Sequence, residues 1–191
     1  MSATAAPFGL RPSWHLTGGV IRPVATTITS TYGTNIFQGS PVGYIADGSI
    51  AMAAAGGTAV AGASGAFQGV EYTETGGRRR VSNFWPASTT ATDIVAYITN
   101  DPNIVYEIQA NGAVAQTAVG AQYDWSANGT SNGSTSTGIS SVSLDTGAGA
   151  ANAGLRVLGL APYVDNVWGD AYTIVYVQLS EHQLVATVAQ I

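Results

Sequence analysis

The chain has 191 residues, of which 9% are charged and 46% are apolar, and its net charge is -5. This charge argues against direct binding to nucleic acid, which needs a basic surface, and the absence of cysteine excludes disulfides, thiolate metal sites and a cysteine nucleophile. No apolar run approaches the roughly 20 residues that cross a bilayer, so we expect a protein made in the cytoplasm that does not bind membranes.

The low charge also has a positive implication. All six basic residues are arginines, and the surface must consist largely of Ser, Thr, Asn, Gln and backbone. Such a surface is poor for a free monomer but suits a subunit that buries much of its exterior, and arginine tolerates interfaces better than lysine does. Compositional drift is the alternative explanation. The composition favours the broad class of assembly subunits.

Residues 1–34 are predicted to form an extended N-terminal arm. Three prolines prevent a continuous helix, and the Thr-rich run 26–31 has only a thin apolar pattern. We expect the arm to dock on a neighbouring subunit through the apolar side chains of Phe8, Trp14 and Leu16. Packing of the arm on the chain's own domain is the alternative.

Residues 35–73 contain short apolar runs separated by glycine-bearing turns, which is the spacing of strands joined by tight turns. Asp47-Gly48 is the sharpest turn signal, because glycine adopts the positive φ angles of a two-residue hairpin turn without steric cost. Many Ala and Gly residues allow the walls to approach closely. The sequence therefore predicts an all-β fold with a small Gly/Ala-rich barrel, its core at about 35–110, inside a single β domain spanning 35–191.

Several of these segments resemble phage proteins. Within 35–73 the motifs occur in the order Gly-Ser-Pro-Val, Asp-Gly, an Ala/Gly-rich run and Gly-Ala-Phe-Gln-Gly-Val. This order is similar to that of the β-tulip barrels of tailed-phage capsid decoration proteins. Residues 8–12 (FGLRP), 68–73 (QGVEYT) and 82–87 (SNFWPA) resemble a family of phage head-associated structural proteins. The resemblance covers about the first half of the chain.

The resemblance implies a virion protein that decorates and stabilises the icosahedral capsid of a tailed bacteriophage from its outer surface. It implies no enzymatic activity and no cofactor. The expected partners are the major capsid protein and other copies of the chain, in a homo-oligomer that we expect to be a trimer. The candidate capsid contacts lie in the arm: Phe8, Arg11, Trp14, Leu16 and Arg22.

Three adjacent arginines, Arg78, Arg79 and Arg80, follow Gly76-Gly77. Phosphate binding is one interpretation of such a run. Where no lysine adds positive charge, such arginines more often lie at a solvated hairpin tip or form ion pairs with the acidic residues of a neighbour. These arginines are the candidate contacts between subunits.

Residues 94–98 and 104–108 are β-branched and aromatic runs around the turn 100–103, a pattern that predicts a hairpin. The remainder, 111–191, is predicted to elaborate the domain with antiparallel strands. A strand at 172–179 has two apolar faces and should be buried on both. The other expected features are a short helical stretch at 113–123, a Ser/Gly-rich loop at 126–141, strands at 142–144 and 155–160, and an edge strand or docking segment at 181–191.

No pattern is typical of catalysis or metal binding. The two histidines, His15 and His182, are far apart in sequence, and Gly129–Gly133 matches the letters of a nucleophile elbow without the strand and helix that an elbow requires. Asp165 and Asp170 share a loop that could hold calcium, but their spacing fits no defined calcium loop. We therefore predict no catalytic, cofactor or metal site.

Other functions remain open at this point. A carbohydrate-binding module would use Trp14, Trp125 or Trp168 as sugar platforms. A hydrolase would need a hidden site with His15 or His182 as general base. Within the virion, a neck or tail component is the closest alternative, because similar barrels recur there.

Overall fold

The computed structural model describes residues 4–54, 62–126, 132–149 and 153–185. These residues form antiparallel sheets and a short 3-10 helix at Gln116–Ala118, which confirms the predicted all-β class. The described part of the chain contains no helix long and apolar enough to cross a membrane. In chain order the strands are β1 (Arg11–His15), β2 (Val24–Thr26), β3 (Ile36–Phe37), β4 (Pro41–Tyr44), β5 (Ile50–Met52), β6 (Gly65–Glu74), β7 (Arg79–Ser82), β8 (Phe84–Trp85), β9 (Ala91–Thr99), β10 (Ile104–Gln109), β11 (Gln122–Ser126), β12 (Ser143–Gly149), β13 (Leu155–Leu160) and β14 (Ile174–Leu179).

Two large sheets, each with its own apolar core, make up most of the molecule. Sheet I has the strand order β1, β10, β14, β13, β11, β12. Sheet II has the order β2, β9, β6, β4, β5, with β7 also paired to β6, and β3 pairs with β8 in a small third sheet. Tyr106, Val175 and Leu155 lie in the core of sheet I, whereas Phe67 and Trp85 lie in that of sheet II.

The predicted hairpin at 94–108 is wrong in its pairing, although both of its strands exist. β9 lies between β2 and β6 in sheet II, whereas β10 lies between β1 and β14 in sheet I. All six residues of β10 are buried, so this strand needs neighbours at both edges and cover on both faces, which a lone hairpin does not supply. The turn at 100–103 therefore carries the chain from one sheet to the other.

The predicted barrel is also not closed. The turn at Asp47-Gly48 connects β4 to β5 as expected, with Gly48 at φ +81°. Sheet II curls until its outer strands approach each other, but their meeting point is a backbone hydrogen bond from Ile50 to Thr27, 2.9 Å long, and not a ladder. Within the sheet, β6 pairs with β4 at its first two residues and with β7 further along. The Ala/Gly-rich segment 55–61 lies outside the described residues.

The N-terminal segment is extended and pairs with the rest of its own chain. β1 is an edge strand of sheet I and β2 is an edge strand of sheet II. Between residue 4 and β1, the backbone of Gly9 bonds to Val142 and that of Leu10 bonds to Gly39. Leu10 is fully buried. Of the two arrangements expected for 1–34, the described residues adopt packing on the chain's own domain.

The later elements broadly follow the predicted pattern. β14 is an interior strand whose Val175 and Val177 are fully buried, while Trp14 covers Tyr176 edge-on at 6.2 Å between ring centroids. The helical stretch expected at 113–123 shortens to the 3-10 turn. Of the loop expected at 126–141, the residues 127–131 lie outside the described residues, as do 186–191 of the tail.

Candidate assembly surface

The loop between β1 and β2 presents large apolar side chains to solvent. Trp14 and Leu16 are each 42% exposed, Val20 is 76% exposed, and Val24 at the start of β2 is 42% exposed. β1 and β2 are edge strands, and no further strand of the described chain pairs with their outer edges. Two of the predicted capsid contacts, Trp14 and Leu16, belong to this group.

The imidazole of His15 organises this loop, Leu16–Val20, which we call the His15 loop. Its Nδ1 accepts hydrogen bonds from the backbone N–H groups of Thr17 and Gly19, both at 3.3 Å, and lies 3.0 Å from the Thr17 hydroxyl. A backbone N–H can only donate, so Nδ1 is unprotonated and Nε2 carries the proton. Nε2 lies 3.1 Å from Oδ2 of Asp101, in the turn between β9 and β10.

Asp101 is held in its charged form. Two hydrogen bonds lower the pKa of the Asp101 carboxyl: the larger effect comes from the backbone N–H of Asn103, and the next from the side chain of His15. The ionised carboxylate is thus a ready acceptor for the Nε2 proton of His15. The turn between the two sheets and the His15 loop are in this way fixed to one another.

Arg11 and Phe8, the next two predicted capsid contacts, are engaged within the chain. The guanidinium of Arg11 lies 4.0 Å above the Phe8 ring and 3.5 Å from Oε2 of Glu107. Glu107 is buried, and its carboxylate also accepts from the hydroxyls of Tyr163, at 2.8 Å, and Ser13, at 3.4 Å. Burial, reinforced by the bond to Glu107, raises the pKa of Tyr163.

A cleft of about 830 Å³ opens beside this cluster, between the N-terminal segment and the loop at 133–141. Phe8, Ile139 and Tyr163 form apolar parts of its wall, and the charged side chain in the lining is Arg11. Among the described residues, its lining includes serines and threonines but no histidine that could act as their base. The cleft therefore has the size of a binding groove.

The three consecutive arginines lie on the hairpin of β6 and β7. Arg79 bonds to Glu71 at 3.1 Å and to the carbonyl of Asp93 at 2.8 Å, and Arg80 bonds to Glu74 at 3.0 Å. Hydrogen bonds lower the pKa of Glu71, the one from the Tyr97 hydroxyl having the larger effect and the one from Arg79 the next. Arg79 and Arg80 therefore brace their own hairpin. Within the described residues, Arg78 makes no ion pair and remains available to a neighbour.

The residues considered for other functions are placed as follows. Trp125 is buried, so it is not a sugar platform, and Trp168 packs against the core of sheet I. His182 is buried, and its Nδ1 accepts from the Leu184 backbone at 3.2 Å. Asp170 accepts from the Val167 backbone. Among the described residues, no group of three or more His, Asp or Glu side chains could hold a metal ion.

In comparisons with known proteins, no family model, curated protein or solved structure matches the chain. The resemblance to phage proteins therefore stays a hypothesis.

Sequence reasoning missed the role of His15 and the exposure of Val20. A usable signal was present, because His15 is followed by Thr17, Gly18 and Gly19, whose backbone can fold back onto a preceding side chain. The sequence did not indicate that the strands on either side of the loop, β1 and β2, lie at the edges of their sheets.

Proposed function

We propose that this chain is a structural virion protein that decorates and stabilises the capsid of a tailed bacteriophage by binding across capsid subunits. The observation that carries the proposal is the apolar group on β1, β2 and the loop between them: Trp14, Leu16, Val20 and Val24. Four large apolar side chains are thus exposed within the eleven residues 14–24, and exposed apolar surface of this kind is typical of interaction sites. Here it occurs in a chain with few charges to keep a monomer soluble.

The way this surface is anchored suits a mechanical role. β1 belongs to sheet I and β2 belongs to sheet II, so a force on the loop between them is distributed to both cores. The bond between His15 and Asp101 adds a third link, to the turn that joins the sheets. A partner bound at this surface would be held by the whole molecule and not by a single strand.

The proposed mechanism needs no chemical step. Each contact would bury on the order of 800 Å² per partner, and anything that binds the assembled shell better than its separated subunits stabilises the shell by mass action. The partners are the major capsid protein and other copies of the chain, for which we propose a trimer. Arg78, which makes no ion pair within the described residues, is the arginine of the β6–β7 hairpin that we propose contacts a neighbouring copy.

The experiment is a count of bound copies. Purified protein is mixed with expanded, undecorated shells of the virus that encodes it, the shells are sedimented, and bound copies are counted by quantitative mass spectrometry. Saturation at hundreds of copies, in a ratio compatible with icosahedral symmetry, would support a decoration protein. No co-sedimentation, or only about a dozen copies as expected for a ring at one vertex, would refute it and favour the neck or tail.

A further inference from the structure

We propose that the His15 loop is a preformed docking loop, which inserts Leu16 and Val20 into an apolar pocket of the shell protein while Arg22 pairs with a carboxylate at the rim of that pocket. The inference rests on the proposed function and names the surface through which it acts. It assigns His15 a positioning role, because His15 shapes the loop without itself being exposed to the partner.

The backbone of the loop is held at successive points. The N–H of Leu16 bonds to the carbonyl of Asn103 at 3.0 Å, and the N–H of Gly18 bonds to the carbonyl of His15 at 3.0 Å. The N–H groups of Thr17 and Gly19 bond to the His15 imidazole. Four consecutive backbone donors of an exposed loop are therefore satisfied inside the protein.

The glycines of the loop fit this arrangement. Gly18 has φ +76°, a conformation that residues with side chains rarely adopt. A Cβ atom at Gly19 would lie 3.1 Å from Nδ1 of His15, a tight contact that would displace the ring by a few tenths of an ångström. Directly after the loop, Ile21 packs against the core of sheet I and fixes its other end. Ordering the loop on binding would then require little further loss of entropy.

The chemistry of the partner follows from what the loop exposes. Leu16 and Val20 offer apolar surface and no polar group of their own, so they fit an apolar pocket. Arg22 is exposed and makes no ion pair within the described residues, whereas Arg11, Arg79 and Arg80 are each paired with a glutamate of this chain. Arg22 follows Val20 by two positions, and an exposed arginine without a partner in its own chain is complementary to a carboxylate on the bound protein.

The first test removes the apolar anchors. Leu16→Ser combined with Val20→Ser should weaken binding to undecorated shells by about 30-fold or more, measured as bound copies against free concentration. The matched control is Val119→Ser combined with Val164→Ser, which removes two exposed apolar side chains on other loops and should leave binding unchanged. Arg22→Glu should weaken binding about tenfold, whereas Arg22→Lys should retain most of it.

The second test addresses His15. In His15→Asn the side-chain oxygen can replace Nδ1 as the acceptor, so binding should stay within about threefold of wild type. His15→Phe has no acceptor, and its binding should fall about tenfold or more. Thermal unfolding of both variants, and of the exposed-residue variants above, identifies any loss of binding that comes from unfolding.

The outcomes separate the two proposals. Wild-type protein that does not bind the shells refutes the proposed function and the docking loop together. Wild-type binding that Leu16→Ser with Val20→Ser leaves unchanged refutes the loop and leaves the function standing. If that variant no longer forms a homo-oligomer in sedimentation velocity but still binds shells, the loop contacts a second copy of the chain. That result would refute the proposal that the loop docks on the shell protein.

Discussion

The close contact between the N-terminal segment and the turn before β4 makes a sharp test of the fold. Gly9 has φ +74°, and a Cβ atom there would lie 2.8 Å from the carbonyl carbon of Gly39 and 2.8 Å from Cβ of Ser140, with the Gly39 oxygen closer still. Gly9→Ala must therefore separate the two backbones. The adjacent 2.7 Å hydrogen bond from Leu10 to Gly39 would be strained or lost with them.

The magnitude of this effect has two parts. The left-handed backbone costs a residue with a side chain about 1–2 kcal/mol, and overpacking at a close contact costs about 1–3 kcal/mol. Gly9→Ala should thus destabilise the fold by about 2–5 kcal/mol, which for a chain of this length lowers Tm by about 5–15 °C.

The control is Gly77→Ala, at the tip of the β6–β7 hairpin. Gly77 has a similar φ of +80°, but nothing lies within 4 Å of the position that its Cβ would occupy. This variant should lose only the backbone contribution, about 1–2 kcal/mol. Denaturant unfolding followed by tryptophan fluorescence gives both values. Equal losses for the two variants would show that the approach of Gly9 to Gly39 is not what holds the N-terminal segment.

Three further changes test separate parts of the structure. Burial lowers the pKa of His182, so the folded protein resists protonation of this imidazole, and its stability declines as the pH falls below the ordinary histidine pKa of 6.5. The free energy of unfolding, measured with denaturant at about pH 7.5 and about pH 5, should therefore differ less between the two pH values for His182→Gln than for wild type. Tyr163→Phe removes a hydroxyl donor from the buried Glu107 carboxylate and should reduce the free energy of unfolding by about 1–2 kcal/mol. An unchanged free energy of unfolding would contradict this prediction and show that water replaces the hydroxyl as the donor. Asn166→Ala leaves two backbone carbonyls and a backbone N–H without their side-chain partner, and a loss below about 1 kcal/mol in the same assay would contradict a structural role for this buried amide.

The strands were more predictable from sequence than their pairing. Residues 104–108 are so rich in β-branched and aromatic side chains that a strand was the clear expectation, and the structure has one there. Its partners depend on contacts far along the chain, with β1 and β14, and local pattern carries no information about these. The turn at 100–103, rich in Asn and Asp, predicts a hairpin, although the same residues also suit a connection between two sheets.

The open edge of sheet II was unpredictable for a similar reason. Alternating apolar runs and a turn at Asp47-Gly48 are compatible with a closed barrel and with a curled sheet alike. The structure has the curled sheet, in which the two halves of β6 pair with different strands, β4 and β7. Closure would require β2 and β5 to pair over a distance of more than twenty residues in sequence, and short-range pattern does not determine whether they do.

The candidate site shows the same division. Phe8, Trp14 and Leu16 were chosen from sequence because they are apolar residues in a proline-broken segment, and this criterion does not distinguish a side chain that packs within the chain from one that remains in solvent. Leu16 is exposed, whereas Phe8 lies under Arg11. Separating the two requires knowing the path of the segment across both sheets. His15, which sequence reasoning names as the general base of a hypothetical hydrolase, is the residue that shapes the exposed loop.

Hydrogen exchange of the free protein would test that shaping directly. The amides of Thr17 and Gly19 belong to an exposed loop but donate to the His15 ring, so they should exchange slowly. In His15→Phe these two amides should exchange about tenfold faster or more, while the Leu16 amide, which donates to the Asn103 carbonyl, should keep its protection. Residue-resolved NMR exchange distinguishes the three positions. Fast exchange of Thr17 and Gly19 in the wild type would mean that the loop is not preformed, and any order it shows on a partner would have to be acquired on binding.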